Sequence, residues 1–250
     1  MLKAERHNYI LNLLEKEGKV HAVALSEALQ ISVDTVRRDL QALADAGKVT
    51  RVHGGALPAS PKSMDFVSRQ FVSSAAKLEV AKTAVSLIQN HQVIFMDNGT
   101  TTLMLAQQLP HNLQATIVTH SLPLALAFVD YPEVDVVLVG GKLDKQERVV
   151  VGVSVVETYR RIQADACFLG ICSLHPETGI TVTSLEESYV KQAMIEQSSE
   201  VVALATKDKL GTVAPYRAAP IAELTHLVTE TAVSITTLNP YRAAGITVLQ

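Results

Sequence analysis

The sequence predicts an α/β protein of two domains, a small helical domain with one hairpin followed by a larger domain on a mostly parallel sheet. A chain of 250 residues is long for a single domain and suits one small and one medium core. Apolar residues recur at helical spacing before residue 46. From Val93 onward, short apolar runs alternate with helical patterns, as in a parallel sheet covered on both faces; the runs are VIFMD, ATIVT, VDVVLVGG, DACFLGI and VVALAT.

Two helices are predicted at the start of the chain. Leu2 to Lys16 carries apolar residues at helical spacing, and Gly18 is a suitable stop. A second, shorter helix follows from Val23 to Gln30. Ile31 and Ser32 then form a turn.

The third predicted helix runs from Val33 to Ala46. Ser32 is a good N-cap because its hydroxyl can accept a hydrogen bond from the first turn, and Asp34 suits the positive end of the helix dipole. Positions 33, 36, 40 and 43 are Val, Val, Leu and Leu, which form one apolar stripe. Gly47 tolerates the left-handed conformation that ends a helix.

A short hairpin completes the N-terminal domain. The segment KVTRV alternates like a strand, and His53-Gly54-Gly55 supplies a turn. Two helices, a turn, a third helix and a hairpin within residues 1–58 fit a winged helix-turn-helix, whose third helix enters the DNA major groove. We therefore expect contacts with double-stranded DNA from Ser32, Thr35, Arg37, Arg38, Gln41, Arg51 and His53. The alternative is an ordinary solvated helix face.

The charge distribution agrees weakly with a DNA-binding N-terminal domain. The net charge of −3 at first argues against nucleic acid. Residues 1–58 hold 8 Lys or Arg against 7 Asp or Glu, net +1, which leaves 14 against 18, net −4, for the rest. The asymmetry has the expected sign and is small.

Composition also limits the redox state, the metal content and the compartment. Cys167 and Cys172 lie in an apolar stretch without histidines at metal-ligand spacing, so both are expected to be reduced core residues. No metal or cofactor is expected. The N-terminus lacks a signal-peptide pattern and no apolar run would span a bilayer, which predicts a cytoplasmic protein with no membrane partner.

A proline-containing segment separates the two domains. PASPKS, from Pro58 to Ser63, has the composition of a linker and places the boundary near 58–62. The stretch from Met64 to His91 predicts one or two helices. We assign residues 59–76 to a linker and connecting helix, and residues 77–250 to the α/β domain.

The string Thr35-Val36-Arg37-Arg38-Asp39-Leu40 and its flanks resemble the DeoR family of bacterial transcriptional repressors. The resemblance extends to later segments, including Asp97 to Thr102 and the LATKDKLG stretch. It implies a repressor of a carbohydrate-metabolism operon that binds operator DNA as a homodimer or homotetramer. It also implies an effector domain similar in fold to ribose phosphate isomerase, controlled by a small phosphorylated sugar.

Effector contacts are expected at turns that follow strands, where open α/β sheets bind ligands. A Gly with three hydroxyls at positions 99–102 suits a phosphate, although such a turn alone is more often a helix cap. Glu187 and Lys191, four apart, could equally be a helical ion pair. The turns at 97–102, 119–121 and 140–141 can surround one ligand. With the resemblance added, the expected effector residues are Asp97, Gly99, Thr100, Thr101, Thr102, Thr119, His120, Ser121, Gly140, Gly141, Gly152, Glu187, Lys191 and Lys209.

The chain departs from the family pattern at three positions. Thr206 stands where the family usually has Asp, His120 where it has Asn, and Asp144 where an Arg often follows the double Gly. Because a guanidinium matches a phosphate well, loss of that Arg would weaken phosphate binding.

An isomerase-like enzyme and a non-catalytic metabolite-binding or interaction module are the competing functions. An aldose isomerase needs a general base beside its substrate. Glu187 is the only obvious candidate, and the strand from Asp165 to Gly170 carries one acid. We therefore expect a sensor with no catalytic residues.

Overall fold

The computed structural model describes residues 1–60 and 65–250, and it has the two-part α/β architecture that the sequence predicts. The segment 61–64, which includes part of the predicted linker, lies outside the described residues. No helix among the described residues is long and apolar enough to cross a membrane.

The N-terminal domain is a winged helix-turn-helix. Three helices pack against a small antiparallel sheet of order β1-β3-β2, in which β2 and β3 form the wing hairpin. Its elements are α1 (Lys3–Glu17), β1 (Val20–His21), α2 (Ala22–Leu29), α3 (Val33–Asp45), β2 (Val49–Val52) and β3 (Gly55–Pro58). The Ser32 hydroxyl accepts a hydrogen bond from the Thr35 amide at 3.2 Å, and Gly47 follows α3 with φ of +68°, so both predicted ends of the helix are confirmed.

A buried ion pair joins α1 to α3. Two nitrogens of the Arg6 guanidinium donate to the carboxylate of Asp39 at 2.7 and 3.1 Å, and His7 Nε2 lies 3.2 Å from the same carboxylate. Asp39 is only 2% exposed. Burial alone would raise the pKa of Asp39, but the hydrogen bonds from Arg6 and His7 outweigh it and lower the pKa. Asp39 therefore fixes the position of α3 and does not face solvent.

The C-terminal domain is built on a seven-stranded parallel sheet of order β15-β14-β12-β9-β4-β5-β6. Its strands are β4 (Val93–Met96), β5 (Ala115–Thr119), β6 (Val134–Leu138), β9 (Ala164–Gly170), β12 (Ser198–Leu204), β14 (His226–Val228) and β15 (Thr247–Leu249). One hydrophobic core lies on each face of the sheet. The five predicted strands are confirmed, whereas β14 and β15 were not predicted.

Helices and two small sheets surround this large sheet. The stretch after the predicted linker forms two helices, α4 and α5. The helices are α4 (Phe66–Phe71), α5 (Ser74–Val85), α6 (Thr100–Ala106), α7 (Leu122–Ala127), α8 (Val153–Tyr159), α9 (Leu185–Glu196) and α10 (Ile235–Ala243). The remaining strands are β7 (Lys142–Asp144) with β8 (Val149–Val151), and β10 (Ser173–His175) with β11 (Gly179–Val182) and β13 (Tyr216–Ala219).

Two predictions about burial are wrong. Strand β6 is not covered on both faces, because it is the edge strand of the sheet and four of its five residues are exposed. Cys167 is fully buried as predicted, but Cys172 follows the end of β9 and is half-buried, with Sγ 3.3 Å from the Ser60 hydroxyl. Both cysteines are free thiols.

The wing contacts the larger domain through Val213. The Val213 amide donates to the Pro58 carbonyl at 3.2 Å, and its carbonyl accepts from the Ser60 amide at 3.1 Å. The Thr50 hydroxyl, on β2, also donates to the Val213 carbonyl at 3.1 Å. A salt bridge of 3.0 Å between Lys19 and Glu177 adds a second contact. The first residues of the predicted linker are therefore hydrogen-bonded to the α/β domain.

Candidate functional site: a DNA-binding face and an effector cavity

The exposed face of α3 carries the side chains predicted to read DNA. Val36, Leu40 and Leu43 are buried in the small domain, so the opposite side of the helix faces solvent. Arg37, Arg38 and Gln41 are exposed there, while Thr35 is half-buried beside the Ser32 cap. The Arg37 guanidinium lies 3.3 Å from Asp34, an exposed pair that a phosphate or base can displace.

The wing is tied to the same face. Arg51 Nη1, on β2, donates to Gln41 Oε1, and Gln41 Nε2 donates to Asp45 at 2.7 Å. His53 is exposed in the turn of the hairpin. The structure thus places the predicted residues of α3 and the wing on one exposed surface, as a winged helix needs when it docks on DNA.

A cavity of about 330 Å³ lies between the carboxyl ends of the central strands, the junction of α4 and α5, and the 206–209 segment. This volume suits a small metabolite. Of the predicted effector residues, five line the cavity: Gly99, Thr100, Thr101, Glu187 and Lys209. Polar residues outside that prediction also line it, namely Ser60, Arg69, Lys77, Asn98, Glu147, Thr206 and Asp208.

Lys77 is a buried cation in the cavity wall. Its side chain lies on α5, and the residue is 6% exposed. Lys77 Nζ donates to the Arg69 carbonyl oxygen at 2.5 Å, and no carboxylate of residues 1–60 or 65–250 forms a salt bridge with it. Burial lowers the pKa of Lys77 to about 8; the charges of Lys209 and Arg69 act in the same direction, and the Asp208 carboxylate partly opposes them. An anion bound in the cavity would stabilise the protonated form of Lys77 and raise its pKa again.

The other two lining cations already have carboxylate partners. Arg69 makes a bidentate pair with Glu147, with N–O distances of 2.5 and 3.0 Å. Lys209 Nζ lies 3.2 Å from Asp208, whose carboxylate also accepts a 2.6 Å hydrogen bond from Thr206. The family departure at Thr206 therefore places a hydroxyl in the cavity wall, where it orients Asp208.

Asn98 contributes an unpaired polar group to the cavity wall. The residue is 8% exposed, and its Oδ1 has no hydrogen-bond partner among the described residues. Close packing of two strand ends holds it there, since a Cβ on Gly170 would lie 2.6 Å from the Asn98 carbonyl oxygen. Buried polar atoms are normally paired, so this oxygen is free to accept a hydrogen bond from a ligand.

Asp97 and Lys191 form a buried pair beneath the cavity. Lys191 Nζ bonds to Asp97 Oδ2 and to the Gly170 carbonyl, and Asp97 Oδ2 also accepts from the Gly170 amide at 3.0 Å. Burial opposes the charge on Lys191, but Asp97 and Glu187 raise its pKa to about 12. The pair neutralises itself and joins α9 to β4 and β9.

Glu187 reaches from this pair to the cavity. Its carboxylate lies 3.4 Å from Lys191 Nζ, so the two residues form a helical ion pair. Glu187 also lines the cavity, so both interpretations of the spacing apply to it. Burial raises the pKa of Glu187, although Lys191 acts against that rise.

The expectation that three turns surround one ligand needs correction. Thr119, His120, Ser121, Gly140, Gly141 and Gly152 do not line the cavity among the described residues, and neither do Asp97, Thr102 and Lys191. Thr119 donates to the Met96 carbonyl at 2.7 Å, and Thr102 donates to the Gly99 carbonyl at 2.9 Å. These hydroxyls are used inside the protein. The Gly140-Gly141 turn follows the exposed edge strand β6 instead.

His120 and Asp144 also have structural partners. His120 Nδ1 lies 2.9 Å from the Tyr159 hydroxyl, and burial lowers the pKa of His120 to about 4, so the ring is neutral at pH 7. Asp144 Oδ1 accepts from the amides of Gln146 and Glu147 at 2.9 and 3.1 Å. It therefore shapes the loop that carries the partner of Arg69.

Sequence reasoning missed Arg69, Lys77 and Asn98. Arg69 and Lys77 lie in helices whose apolar spacing says nothing about a cavity, and the Arg69 partner, Glu147, is 78 residues away. In the segment from Asp97 to Thr102, the prediction rested on the glycine and the hydroxyls and left out Asn98. The strand-to-helix turn was a usable signal for Asn98, since side chains there face the carboxyl edge of the sheet.

Comparisons with known proteins match both parts of the chain to known domains. Residues 6–62 match the DeoR-like helix-turn-helix domain, and residues 72–231 match the DeoR C terminal sensor domain. The chain is 32% identical to the HTH-type transcriptional repressor GlcR of Bacillus subtilis, over 92% of this chain and 89% of the relative. It is 30% identical to the glycerol-3-phosphate regulon repressor of Haemophilus influenzae, over 92% and 90% of the two chains.

Similarity to solved structures is weaker. Ribose 5-phosphate isomerase A from Methanocaldococcus jannaschii matches with a TM-score of 0.39 and 19% identity, covering 54% of each chain.

Proposed function

The chain belongs to the DeoR family of transcriptional regulators, and from that premise we propose that it represses a carbohydrate-metabolism operon under the control of a phosphorylated sugar. Helix α3 and the wing bind the operator, and the cavity binds the effector. The family membership supports both halves, since one matched domain is DNA-binding and the other is a sensor.

The observation that carries the effector assignment is the buried ammonium of Lys77. A cation taken out of water without an opposite charge is costly, and a bound anion removes that cost. Asn98 Oδ1, unpaired in the same wall, suits a sugar hydroxyl. A phosphate near Lys77 with a hydroxylated chain toward Asn98 and Glu187 satisfies both groups, and the volume of about 330 Å³ accommodates such a ligand.

DNA binding rests on the exposed arginines of α3. Arg can bind guanine through two hydrogen bonds in the major groove, and Arg37 and Arg38 lie near the N-terminal end of α3, as base-reading residues do. Ser32, Thr35, Gln41, Arg51 and His53 complete the proposed interface. Two-fold operators need two such helices, so the functional form is at least a homodimer.

Coupling between the two sites runs through residues 206–213. Thr206, Asp208 and Lys209 line the cavity, and Val213, a few residues later, holds the wing through Pro58 and Ser60. Ser60 itself also lines the cavity. A ligand that shifts the 206–209 segment therefore shifts the residue on which the wing rests. Such coupling typically amounts to about 1–3 kcal/mol.

We propose binding without turnover in the cavity. In the described wall, Glu147 and Asp208 pair with Arg69 and Lys209 at 2.5 and 3.2 Å, and Glu187 lies 3.4 Å from Lys191, so each of these carboxylates already has a cationic partner. Isomerisation needs a base together with a group that stabilises the enediolate. An assay of the purified chain against pentose and hexose phosphates should show no turnover.

The proposed function is tested by a thermal-shift screen of sugar phosphates on the full chain. A ligand at one hundred times its dissociation constant stabilises by about 2.7 kcal/mol. We expect a phosphorylated sugar to raise the melting temperature where its unphosphorylated counterpart does not, and Lys77→Gln to abolish the rise. Equal stabilisation by both sugars, or an unchanged response in Lys77→Gln, would contradict the effector assignment.

A further inference from the structure

The edge of the large sheet carries an apolar surface that the fold leaves uncovered. We call it the edge patch and define it by Leu126, Val129, Val136, Val137, Leu138 and Leu143, which are 36–71% exposed. Single exposed apolar residues scattered over a surface are normal. These six are grouped instead, since they all belong to α7, the turn after it, β6 and β7. Natural edge strands are usually protected by Lys, Pro or a covering loop, whereas β6 (VDVVL) has one charge, Asp135.

The backbone of β6 is also available on its outer side. Val139 N donates to the Thr119 carbonyl, so the alternate residues 135, 137 and 139 direct their backbone groups toward β5. The N–H and C=O groups of Val136 and Leu138 therefore point away from the sheet. In the part of the chain that the structure describes, no strand or loop pairs with them. The strand can accept a further strand at this edge.

The charges around β6 are arranged with opposite signs at its two ends. Asp130, Glu133 and Asp135 lie before and at the start of the strand, and Lys142 and Lys145 follow it; these five side chains are exposed and form no salt bridge with a described residue. The two acids in the segment after the strand are engaged locally, since Asp144 accepts from two backbone amides and Glu147 pairs with Arg69. A second β6 in antiparallel orientation would bring the acidic end of each copy to the basic end of the other. A parallel one would oppose like charges.

A groove beside the edge patch adds room for a partner's apolar side chains. It lies between α6, α7 and β7, has a volume of about 610 Å³, and is lined by Leu103, Leu122, Pro123, Leu126, Leu143 and Lys145. Its walls are mostly apolar carbon. The groove is continuous with the edge patch through Leu126 and Leu143.

We propose that the edge patch binds a second copy of this chain, with the two β6 strands antiparallel about a two-fold axis. The seven-stranded sheets would then form one continuous sheet across the dimer. A two-fold axis places the same patch on both copies, so the surface must complement itself, and the charge gradient along β6 does so. The proposal goes beyond DNA and effector binding because it assigns the surface that joins the subunits.

The first test uses Leu138→Lys in the full chain, measured by sedimentation velocity over a range of concentrations. A charged side chain on an edge strand opposes pairing with a further strand, and Lys is the residue that natural edges use most for this. We expect the variant to lose one association step, with a dissociation constant raised about tenfold or more. Ile235→Lys is the matched control, since Ile235 is 67% exposed at the start of α10, which precedes the opposite edge strand β15. Assembly of Leu138→Lys like wild type, or equal losses in both variants, would overturn the proposal, as would a monomeric wild type.

The second test distinguishes antiparallel pairing of the two β6 strands from non-specific hydrophobic association. Asp135→Lys and Lys142→Asp should each weaken self-association, because each places like charges at both ends of the paired strands. An equimolar mixture should recover association, since the introduced lysine of one variant then faces the introduced aspartate of the other, while the native Lys142 and Asp135 also face each other. A mixture that associates no better than the separate variants would overturn the antiparallel arrangement.

Discussion

The Lys77 ammonium donates a hydrogen bond to the Arg69 carbonyl oxygen at 2.5 Å, which joins the start of α5 to the end of α4 at the wall of the cavity. The same wall contains Ser60, two residues after the wing strand β3. Lys77 is thus placed where a bound anion can act on the connection between the two domains.

Effector affinity should depend on pH through Lys77. The pKa of Lys77 is lowered to about 8, so the empty cavity loses its unpaired cation as pH rises through 8, while a phosphate ester stays a dianion. We expect affinity, measured by calorimetry between pH 7 and 9.5, to fall by at most about tenfold per pH unit above 8. Lys77→Arg keeps its charge in this range and should give a flat profile. A wild-type profile without the alkaline decline would exclude this role.

The Arg6–Asp39 pair should matter for stability. Removing one partner of a buried pair leaves the other uncompensated, so Asp39→Ala should lower the free energy of unfolding by about 2 kcal/mol in urea titrations. Asp34→Ala, which removes only an exposed carboxylate beside Arg37, should cost less than about 1 kcal/mol. Equal effects would contradict the structural role of Asp39.

The same pair predicts a loss of stability in acid. The pKa of Asp39 is lowered in the folded protein, so its contribution is complete above the ordinary carboxylate pKa of 3.8 and disappears as pH falls through the lower folded value. Unfolding measured from pH 6 to pH 2 should therefore separate wild type from Asp39→Ala at the upper end. The difference between the two proteins should shrink as the pH falls below 3.8. A difference that stays constant down to pH 2 would argue for lost packing instead.

Arg37 and Arg51 should have different effects on DNA recognition. Arg37→Ala, on the exposed face of α3, should reduce discrimination between operator and unrelated DNA by about 1–3 kcal/mol. Arg51→Ala, in the wing, should weaken both DNAs alike and reduce the salt dependence of binding. Anisotropy titrations at several salt concentrations measure both. Unchanged discrimination in Arg37→Ala would remove that residue from base reading.

Thr50→Val should weaken communication between the domains. Valine keeps the shape of threonine but loses the hydroxyl that donates to the Val213 carbonyl at 3.1 Å. We expect operator affinity without effector to remain within about threefold of wild type and the effector response to shrink. Ser234→Ala, at the cap of the remote helix α10, is a suitable control for a lost hydroxyl. A full response in Thr50→Val would place the coupling route elsewhere.

Local signals in the sequence account for what was predicted correctly. The Ser32 cap, the apolar stripe and Gly47 lie close together in the sequence, at the start, along the length and just after the end of α3. They therefore predict this helix without any tertiary information. Apolar runs likewise located five strands, whereas β14 and β15 have three residues each and too little pattern to recognise.

Long-range contacts account for most of what was missed. Asp39 belongs to the recognisable Arg-Arg-Asp string, but its buried role depends on Arg6, 33 residues earlier. The exposure of β6 depends on its position at the sheet edge, which apolar content alone does not reveal. The cavity was predicted only in part. Its wall includes residues of α4, α5 and the 206–209 segment, which the pattern of strand ends does not indicate, and no described residue of the turns after β5 and β6 lines it.

The proposed control of DNA binding by the effector is tested most directly by the operator affinity of the full chain, measured with and without a saturating sugar phosphate identified by thermal shift. We predict a change of about 1–3 kcal/mol in wild type. In Lys77→Gln, the effector-free affinity should be retained, and the change should be absent at the same ligand concentration. An operator affinity that stays constant while the wild-type protein is demonstrably saturated would contradict a sensor that controls the DNA-binding helix.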